Sequence, residues 1–187
     1  MSAALQDTLS FLIHTIGGLY IMVVLIRFIL QLVRADFYNP LSQFVVKATN
    51  PLLIPLRRLI PGVGGVDIAS LALALLLQLA LVYLLFALKG MTPPLGFALV
   101  NSLYELINTV LNLYLWSLII IAIASWVAPG SYHPALMLLH QITEPLSSRV
   151  RRVIPPIGGL DLSLMAIVLI IISLQKILPA VFQALLG

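Results

Sequence analysis

The chain has 187 residues, of which 61% are hydrophobic and 9% are charged, and its formal net charge is +4. In ordinary soluble domains about a quarter of the residues are charged, so this composition excludes a soluble domain. It is typical of an integral membrane protein. The chain contains no cysteine, which excludes disulfides, thiolate metal sites and haem attachment through its own thiols.

Four apolar stretches are long enough to cross a bilayer, since about 20 helical residues span a hydrocarbon core of about 30 Å. The predicted crossings are residues 15–33, 68–88, 108–127 and 162–177. Residues 5–15 and 97–107 lead into the first and third crossings. The sequence leaves open whether residues 97–107 cross the membrane or lie on its surface. The predicted fold is an all-α membrane protein with four transmembrane helices.

One stretch of the chain occurs twice, at a constant offset of 94 residues. Residues 49–67 read TNPLLIPLRRLIPGVGGVD, and residues 143–161 read TEPLSSRVRRVIPPIGGLD. Two copies indicate the duplication of a whole unit, because a solenoid needs three or more repeats. We therefore predict two repeats, residues 1–94 and 95–187, each with two crossings. Two crossings return the chain to its starting side, so the repeats are predicted to be parallel rather than inverted.

The basic residues predict the orientation of the chain in the membrane. The short central loop offers Lys89, whereas the two long connectors between crossings are rich in lysine and arginine. The positive-inside rule then places both connectors in the cytoplasm and both termini outside. The basic residues of the connectors are Arg34, Lys47, Arg57, Arg58, Arg149, Arg151 and Arg152.

Each connector is predicted to contain two short helices that are separated by proline. Asn39-Pro40 and His133-Pro134 resemble an N-cap followed by proline in the first turn. The second helix is predicted to start at the next proline, and a later proline ends it. A glycine pair then lets the chain reverse, and an aspartate caps the next crossing. The residues of this structural motif are Pro51, Pro61, Gly64, Gly65 and Asp67, then Pro145, Pro155, Gly158, Gly159 and Asp161.

The second helix of each connector is predicted to be amphipathic and to lie at the membrane interface. Its apolar stripe would face the membrane, with arginines at the level of the head groups. Two roles remain open for this basic surface, namely anchoring to anionic lipid and docking of a cytoplasmic protein. The stripes are Leu52, Leu56, Leu59 and Ile60, then Leu146, Val150, Val153 and Ile154; the candidate binding residues are Arg57, Arg58, Arg149, Arg151 and Arg152.

Polar side chains also occur within or close to the crossings. Arg27 lies inside the first crossing, where it is either a functional residue or a long side chain that reaches nearby head groups. Asn101, Glu105 and Asn108 fall on one helical face that continues to Asn112. That face is either the wet side of a surface helix or the lining of a polar path through the membrane.

The sequence offers no set of residues that is typical of an enzyme active site. No nucleophile lies beside a candidate base, and the three histidines lack the spacing of metal ligands. The glycine pairs do not have the spacing of a phosphate-binding loop. We therefore expect no enzyme activity, no cofactor, no bound metal and no nucleic-acid partner.

The ordered motifs NP, TNP, RR, IP, GG and D, with their second copies HP, HQITEP, RR and IPPIGGLDLS, resemble the YggT (YlmG-like) family of small bacterial membrane proteins. The resemblance covers nearly the whole chain, although Arg149 stands where the first copy has Pro55. It implies a protein of the cell inner membrane that is linked to osmotic or ionic stress, cell division or cofactor assembly.

Two hypotheses for the function follow from the connectors and the polar residues. The first is a membrane scaffold or assembly factor that binds lipid or a cytoplasmic partner through its arginines. The alternative is a small ion channel or transporter component, in which Arg27 and the face with Glu105 line a path. Four crossings are few for a transporter, so the alternative requires a homo-oligomer.

Overall fold

The computed structural model describes residues 3–128, 130, 132–154 and 161–186. The described part of the chain forms six helices, of which α1, α3, α4 and α6 are long and apolar enough to cross a membrane. The all-helical class with four spans is therefore confirmed. The helices are α1 (Ala3–Leu32), α2 (Pro40–Leu59), α3 (Ile68–Leu88), α4 (Leu95–Val127), α5 (Pro134–Arg151) and α6 (Leu162–Leu186).

Helices α1 and α4 are longer than the predicted crossings, because the lead-in segments continue the same helix. They contain 30 and 33 residues, or about 45 and 50 Å of helix, which exceeds a hydrocarbon core of about 30 Å. The amide of Gln6 donates to the backbone oxygen of Leu88, and the ring of Phe97 lies 5.7 Å from that of Phe86. Residues 97–107 are therefore part of α4 and lie beside the end of α3, and they do not form a separate surface helix.

The prediction that a second connector helix starts at Pro51 and Pro145 is wrong. Both prolines lie inside helices, α2 and α5, which continue without a break. A proline removes one backbone donor from a helix, but tertiary packing can outweigh that loss. Here Thr49 and Thr143, two residues before each proline, are buried. Their hydroxyls donate to Val45 O at 2.8 Å and to Leu139 O at 2.9 Å.

The ends of the connector helices follow the sequence signals more closely. The side chain of Asn39 accepts from Leu41 N at 2.9 Å, and His133 Nδ1 accepts from Ala135 N at 3.2 Å, so each residue caps its helix. Helix α2 ends just before Pro61. The chain then reverses through Gly64 and Gly65, whose φ angles are 62° and 84°. The counterparts Pro155, Gly158 and Gly159 lie outside the described residues.

The apolar stripe predicted for α2 faces two different environments. Leu56 and Ile60 pack against the core formed by α1 and α3, whereas Leu52 and Leu59 are exposed. The most deeply buried line on α2 is instead Ser42, Val45, Thr49 and Leu53. In α5, Leu146 and Val150 likewise pack on α4 and α6, while Val153, just beyond the end of the helix, is exposed. Both connectors therefore pack on the transmembrane helices through one face.

Each repeat has its own core, and the repeats meet along α3 and α4 as well as at the connectors. One core is built from α1, α2 and α3 around Leu53 and Leu73, and another from α4 and α6 around Leu118 and Ile167. A third cluster brings α1 and α2 against α5. Hydrogen bonds reinforce this junction, because Asn39 Nδ2 donates to Pro134 O at 2.8 Å and Asp36 N donates to the Gln141 side chain at 2.9 Å.

Candidate functional site

The end of α2 is joined to the start of α3 by an ion pair between Arg57 and Asp67. The Arg57 Nη2 atom lies 2.5 Å from Asp67 Oδ2, and Nε lies 3.3 Å from Oδ1, so the pair is bidentate. The same guanidinium donates to Gln31 Oε1 of α1 at 2.9 Å. One arginine therefore connects three helices of the first repeat. Bidentate pairs of this kind fix geometry as well as charge.

Asp67 also caps α3, as its place after the glycine pair predicts. Its carboxylate accepts from Ser70 N at 3.4 Å and from the Ser70 hydroxyl. The side chain is only 3% exposed, whereas Arg57 is 32% exposed. The carboxylate therefore depends on Arg57, Ser70 and the backbone for its stabilisation, because little water reaches it.

The second repeat contains the same pair in a more open setting. Arg151 Nε donates to Asp161 Oδ2 at 2.9 Å, and its Nη1 atom lies 3.4 Å from Glu144 Oε2. Asp161 accepts from Ser163 N at 3.1 Å and from the Ser163 hydroxyl. Asp161 is 26% exposed and Arg151 is 36% exposed. The duplicated sequence therefore yields the same connection twice, with the first copy buried more deeply.

Both aspartates have pKa values below the usual value for aspartate. Burial raises the pKa of Asp67, but the hydrogen bonds from Arg57 and Ser70 lower it by more. Burial also raises the pKa of Asp161, and the bonds from Ser163 and Arg151 again outweigh it. Both carboxylates are therefore ionised at neutral pH, which the ion pairs require.

These lowered pKa values predict a loss of stability in acid. A carboxylate whose folded pKa is depressed stabilises the fold above its unfolded pKa of about 3.9, and that contribution disappears as the pH falls through the folded pKa. We expect the melting temperature of the purified protein in detergent to fall on acidification below about pH 4. The melting temperature of the double variant Asp67→Asn with Asp161→Asn should fall less over the same pH range. Equal slopes in the two proteins would contradict the assignment to these residues.

The five arginines predicted as one binding surface fall into two groups. Arg57 and Arg151 are held by aspartates, so they act within the protein. Arg58, Arg149 and Arg152 are exposed and form no ion pair among the described residues. The sequence reasoning treated all five as alike and missed the pairing. The available signal was the spacing, because an arginine precedes an aspartate by ten residues in both copies.

Arg27 is not close to Glu105, its proposed companion along a polar path. Its guanidinium lies between α1 and α2, 7% exposed, with the ring of Phe37 at 5.3 Å. Glu105 lies in the first half of α4, which packs beside the end of α3 rather than its start. The Glu105 position corresponds to residue 11 of the first repeat, about 24 Å along α1 from Arg27.

The polar face of α4 points towards α6. Gln175 Nε2 donates to Asn112 Oδ1 at 3.0 Å and lies 3.4 Å from Asn108 Oδ1, so these three amides form a polar contact inside the second repeat. Asn101 lines a small cavity of about 190 Å³ with Gln183 of α6. Asn108 and Asn112 on this face are thus occupied by contacts with α6. The sequence alone could not assign these contacts because the partner is more than 60 residues away.

A larger apolar cavity of about 610 Å³ lies between the end of α1 and the second repeat. Its walls come from the end of α1 and from α4, α5 and α6, and include Pro145, Leu146 and Arg149. The exposed Arg149 therefore combines a positive charge with an apolar surface. Among the described residues, no group of three histidine, aspartate or glutamate side chains is placed to hold a metal ion.

Comparison with known sequences gives a match to one protein family over both halves of the chain. The sequence model described as CCB3/YggT matches residues 6–88 and again residues 100–182. The two matched segments correspond to the two repeats. No solved structure matches the chain.

Several bacterial proteins are similar to most of the chain. The uncharacterized PA0392 protein of Pseudomonas aeruginosa is 54% identical over 85% of this chain and 82% of its own length. An uncharacterized protein of Vibrio alginolyticus is 46% identical over 87% of this chain and 88% of its own length. The uncharacterized protein YggT of Escherichia coli K12 is 40% identical over 96% and 93% of the two chains.

Proposed function

The chain belongs to the CCB3/YggT family, and from that premise we propose that it is a membrane scaffold that recruits an acidic cytoplasmic protein through the exposed arginines of its connectors. One observation carries this proposal, namely the division of the arginines. Arg57 and Arg151 fix the connectors to the following transmembrane helices, while Arg58, Arg149 and Arg152 remain exposed.

A fixed basic surface suits the binding of an acidic partner at a membrane. Each basic residue held near an anionic surface contributes about 1 kcal/mol of attraction. The connector ends cannot swing freely, because each is bound to an aspartate at the start of the next helix. Less freedom is therefore lost when a partner binds, and the exposed charges keep their spacing. Anionic lipid next to the same arginines, and an acyl chain beside Arg149, would strengthen attachment to the membrane surface.

The proposal includes an orientation and a location. Seven basic residues in the connectors against Lys89 in the central loop support connectors in the cytoplasm and termini outside. The similar proteins come from Gram-negative bacteria, which supports a place in the cell inner membrane. The family resemblance adds a role in osmotic or ionic stress or in the assembly of other membrane components. We propose that the protein is not an enzyme, since the carboxylates of Asp67 and Asp161 are engaged in ion pairs.

The alternative function, an ion channel or transporter component, receives less support from the geometry. Its path required Arg27 and Glu105 to line one route, whereas Arg27 lines a cavity with residues of α2, and Glu105, which lies on α4, is not among the residues that line it. Asn108 and Asn112 are bonded to Gln175 and do not line an open passage.

The test of the scaffold is photo-crosslinking in native membranes. A photoreactive residue at position 59, where Leu59 is 79% exposed beside Arg58, should capture a cytoplasmic protein. Replacing Arg58 and Arg152 with glutamine should remove the captured protein, because about 1 kcal/mol of attraction is lost at each position.

A matched control removes the same number of charges elsewhere. Lys89→Gln with Lys176→Gln changes two exposed lysines outside the connectors and should leave the captured protein in place. A periplasm-active reporter fused to Gly187 checks that each variant keeps its orientation. If the wild-type protein captures only lipid, or if purified protein conducts ions in liposomes regardless of Arg58 and Arg152, the scaffold proposal is wrong.

A further inference from the structure

The guanidinium of Arg27 is buried without the hydrogen-bond partners that a buried charge needs. It is 7% exposed, and its Nε and Nη1 atoms have no acceptor among the described residues. The neighbouring acceptor one turn along α1, Gln31, already binds Arg57. An arginine carries five donors and does not lose its charge, so unfilled donors in a buried place are costly. The described residues therefore leave part of the hydrogen-bonding capacity of this guanidinium unused.

The Arg27 side chain also borders a cavity whose other walls are suited to an anion. The cavity has a volume of about 330 Å³ and is lined by Arg27, Phe37, Gln43, Val46 and Lys47. Two of these side chains are cationic and one carries an amide donor, and no carboxylate is among them. The Phe37 ring lies 5.3 Å from the central carbon of the guanidinium, close enough for a cation–π contact.

The second repeat shows that the fold does not need a charge at this place. The position that corresponds to Arg27 is Ile121, which is 5% exposed. Gln43 and Lys47 correspond to Met137 and Gln141. The same architecture is thus built with an aliphatic side chain and no cation. The basic cavity is a feature of the first repeat alone, and packing does not explain it.

We propose that the Arg27 cavity binds a phosphate-bearing anion. The Arg27 guanidinium donates to the anion, Lys47 supplies a second positive charge, and the Gln43 amide, which also donates to Tyr38 O at 3.3 Å, donates a further hydrogen bond. Arginine forms paired hydrogen bonds to phosphate, and lysine binds phosphate as a point charge. The phosphate belongs either to a phospholipid head group or to a small soluble anion. This site is independent of the proposed protein partner, because Arg58 and Arg152 take no part in it.

The experiment measures the thermal stability of the purified full chain in detergent. One arm adds inorganic phosphate, with sodium chloride at equal ionic strength as the control. The other arm adds phosphatidylglycerol, with phosphatidylcholine as the control. At about one hundredfold excess over the dissociation constant, binding should raise the melting temperature by about 5–10 °C. Protection in both arms identifies a phosphate group as the ligand, and protection by phosphatidylglycerol alone identifies a lipid head group; either result supports the site.

The variants copy the second repeat. Arg27→Ile should keep or raise the melting temperature without ligand, because it removes a buried unpaired charge, and should abolish the protection. Lys47→Gln, at an exposed position, should fold normally and weaken the affinity about fivefold. Lys89→Gln, far from the cavity, should bind as the wild type does. The proposal would be overturned if neither arm protected the wild type, as expected of a cavity that holds only water. It would also be overturned if Arg27→Ile and Lys47→Gln were both fully protected.

Discussion

Replacing Arg57 with leucine should lower the free energy of unfolding by about 3–5 kcal/mol, because the carboxylate of Asp67, which is 3% exposed, would lose its countercharge. Arg57 also donates to Gln31, so the contact between α1 and the connector would weaken with it. Unfolding of the purified protein in mixed micelles, followed by circular dichroism against denaturant, measures the loss.

The second repeat provides the matched control for this substitution. Arg151→Leu removes the same kind of pair, but Asp161 and Arg151 are 26% and 36% exposed, so the expected loss is about 0–1 kcal/mol. Adding Asp67→Asn to Arg57→Leu should restore much of the stability, because asparagine can still cap α3 without leaving a buried charge. Equal losses for Arg57→Leu and Arg151→Leu would show that burial of Asp67 does not govern the effect.

Replacing Leu53 with alanine should cost about 2–5 kcal/mol, the usual range for a leucine in a packed core. Leu53 is fully buried against α1 and α3, so its loss leaves a cavity beneath α2. Leu52 is adjacent in sequence but 44% exposed, and Leu52→Ala should change the stability by about 0.5 kcal/mol or less.

This pair of variants tests which face of α2 holds the connector in place. The sequence placed Leu52 on the face of α2 that lies on the membrane, whereas the structure packs Leu53 on the protein. The same unfolding measurement in mixed micelles compares the two variants. A larger loss for Leu52→Ala than for Leu53→Ala would mean that contact with the amphiphile, and not with α1 and α3, holds α2 in place.

Features that depend on neighbouring residues could be predicted from the sequence. The reversal at Gly64 and Gly65 needs positive φ angles, which glycine adopts easily, and Asp67 follows at the position of an N-cap. The four apolar spans follow from length and hydropathy alone. In each case the determining interaction lies within a few residues along the chain.

Features that depend on tertiary packing could not be predicted in the same way. Pro51 follows an asparagine and looks like the start of a helix, but burial of Thr49 and Leu53 carries α2 through it. The contact of Gln175 with Asn112 requires the register between α4 and α6, which no local pattern contains. The Arg57–Asp67 pair lies between these cases. Its ten-residue spacing recurs in both copies, yet only the packed turn brings the two side chains together.

The separate core of the first repeat has a consequence for the order of events during synthesis. Every fully packed residue of that core, and both members of the Arg57–Asp67 pair, precede residue 82. The ribosome has therefore delivered all of these groups before α4 emerges, and N-terminal units generally fold first during translation. The first half can close in the bilayer before the second half, whose Leu106 and Val110 then pack against a surface that already exists.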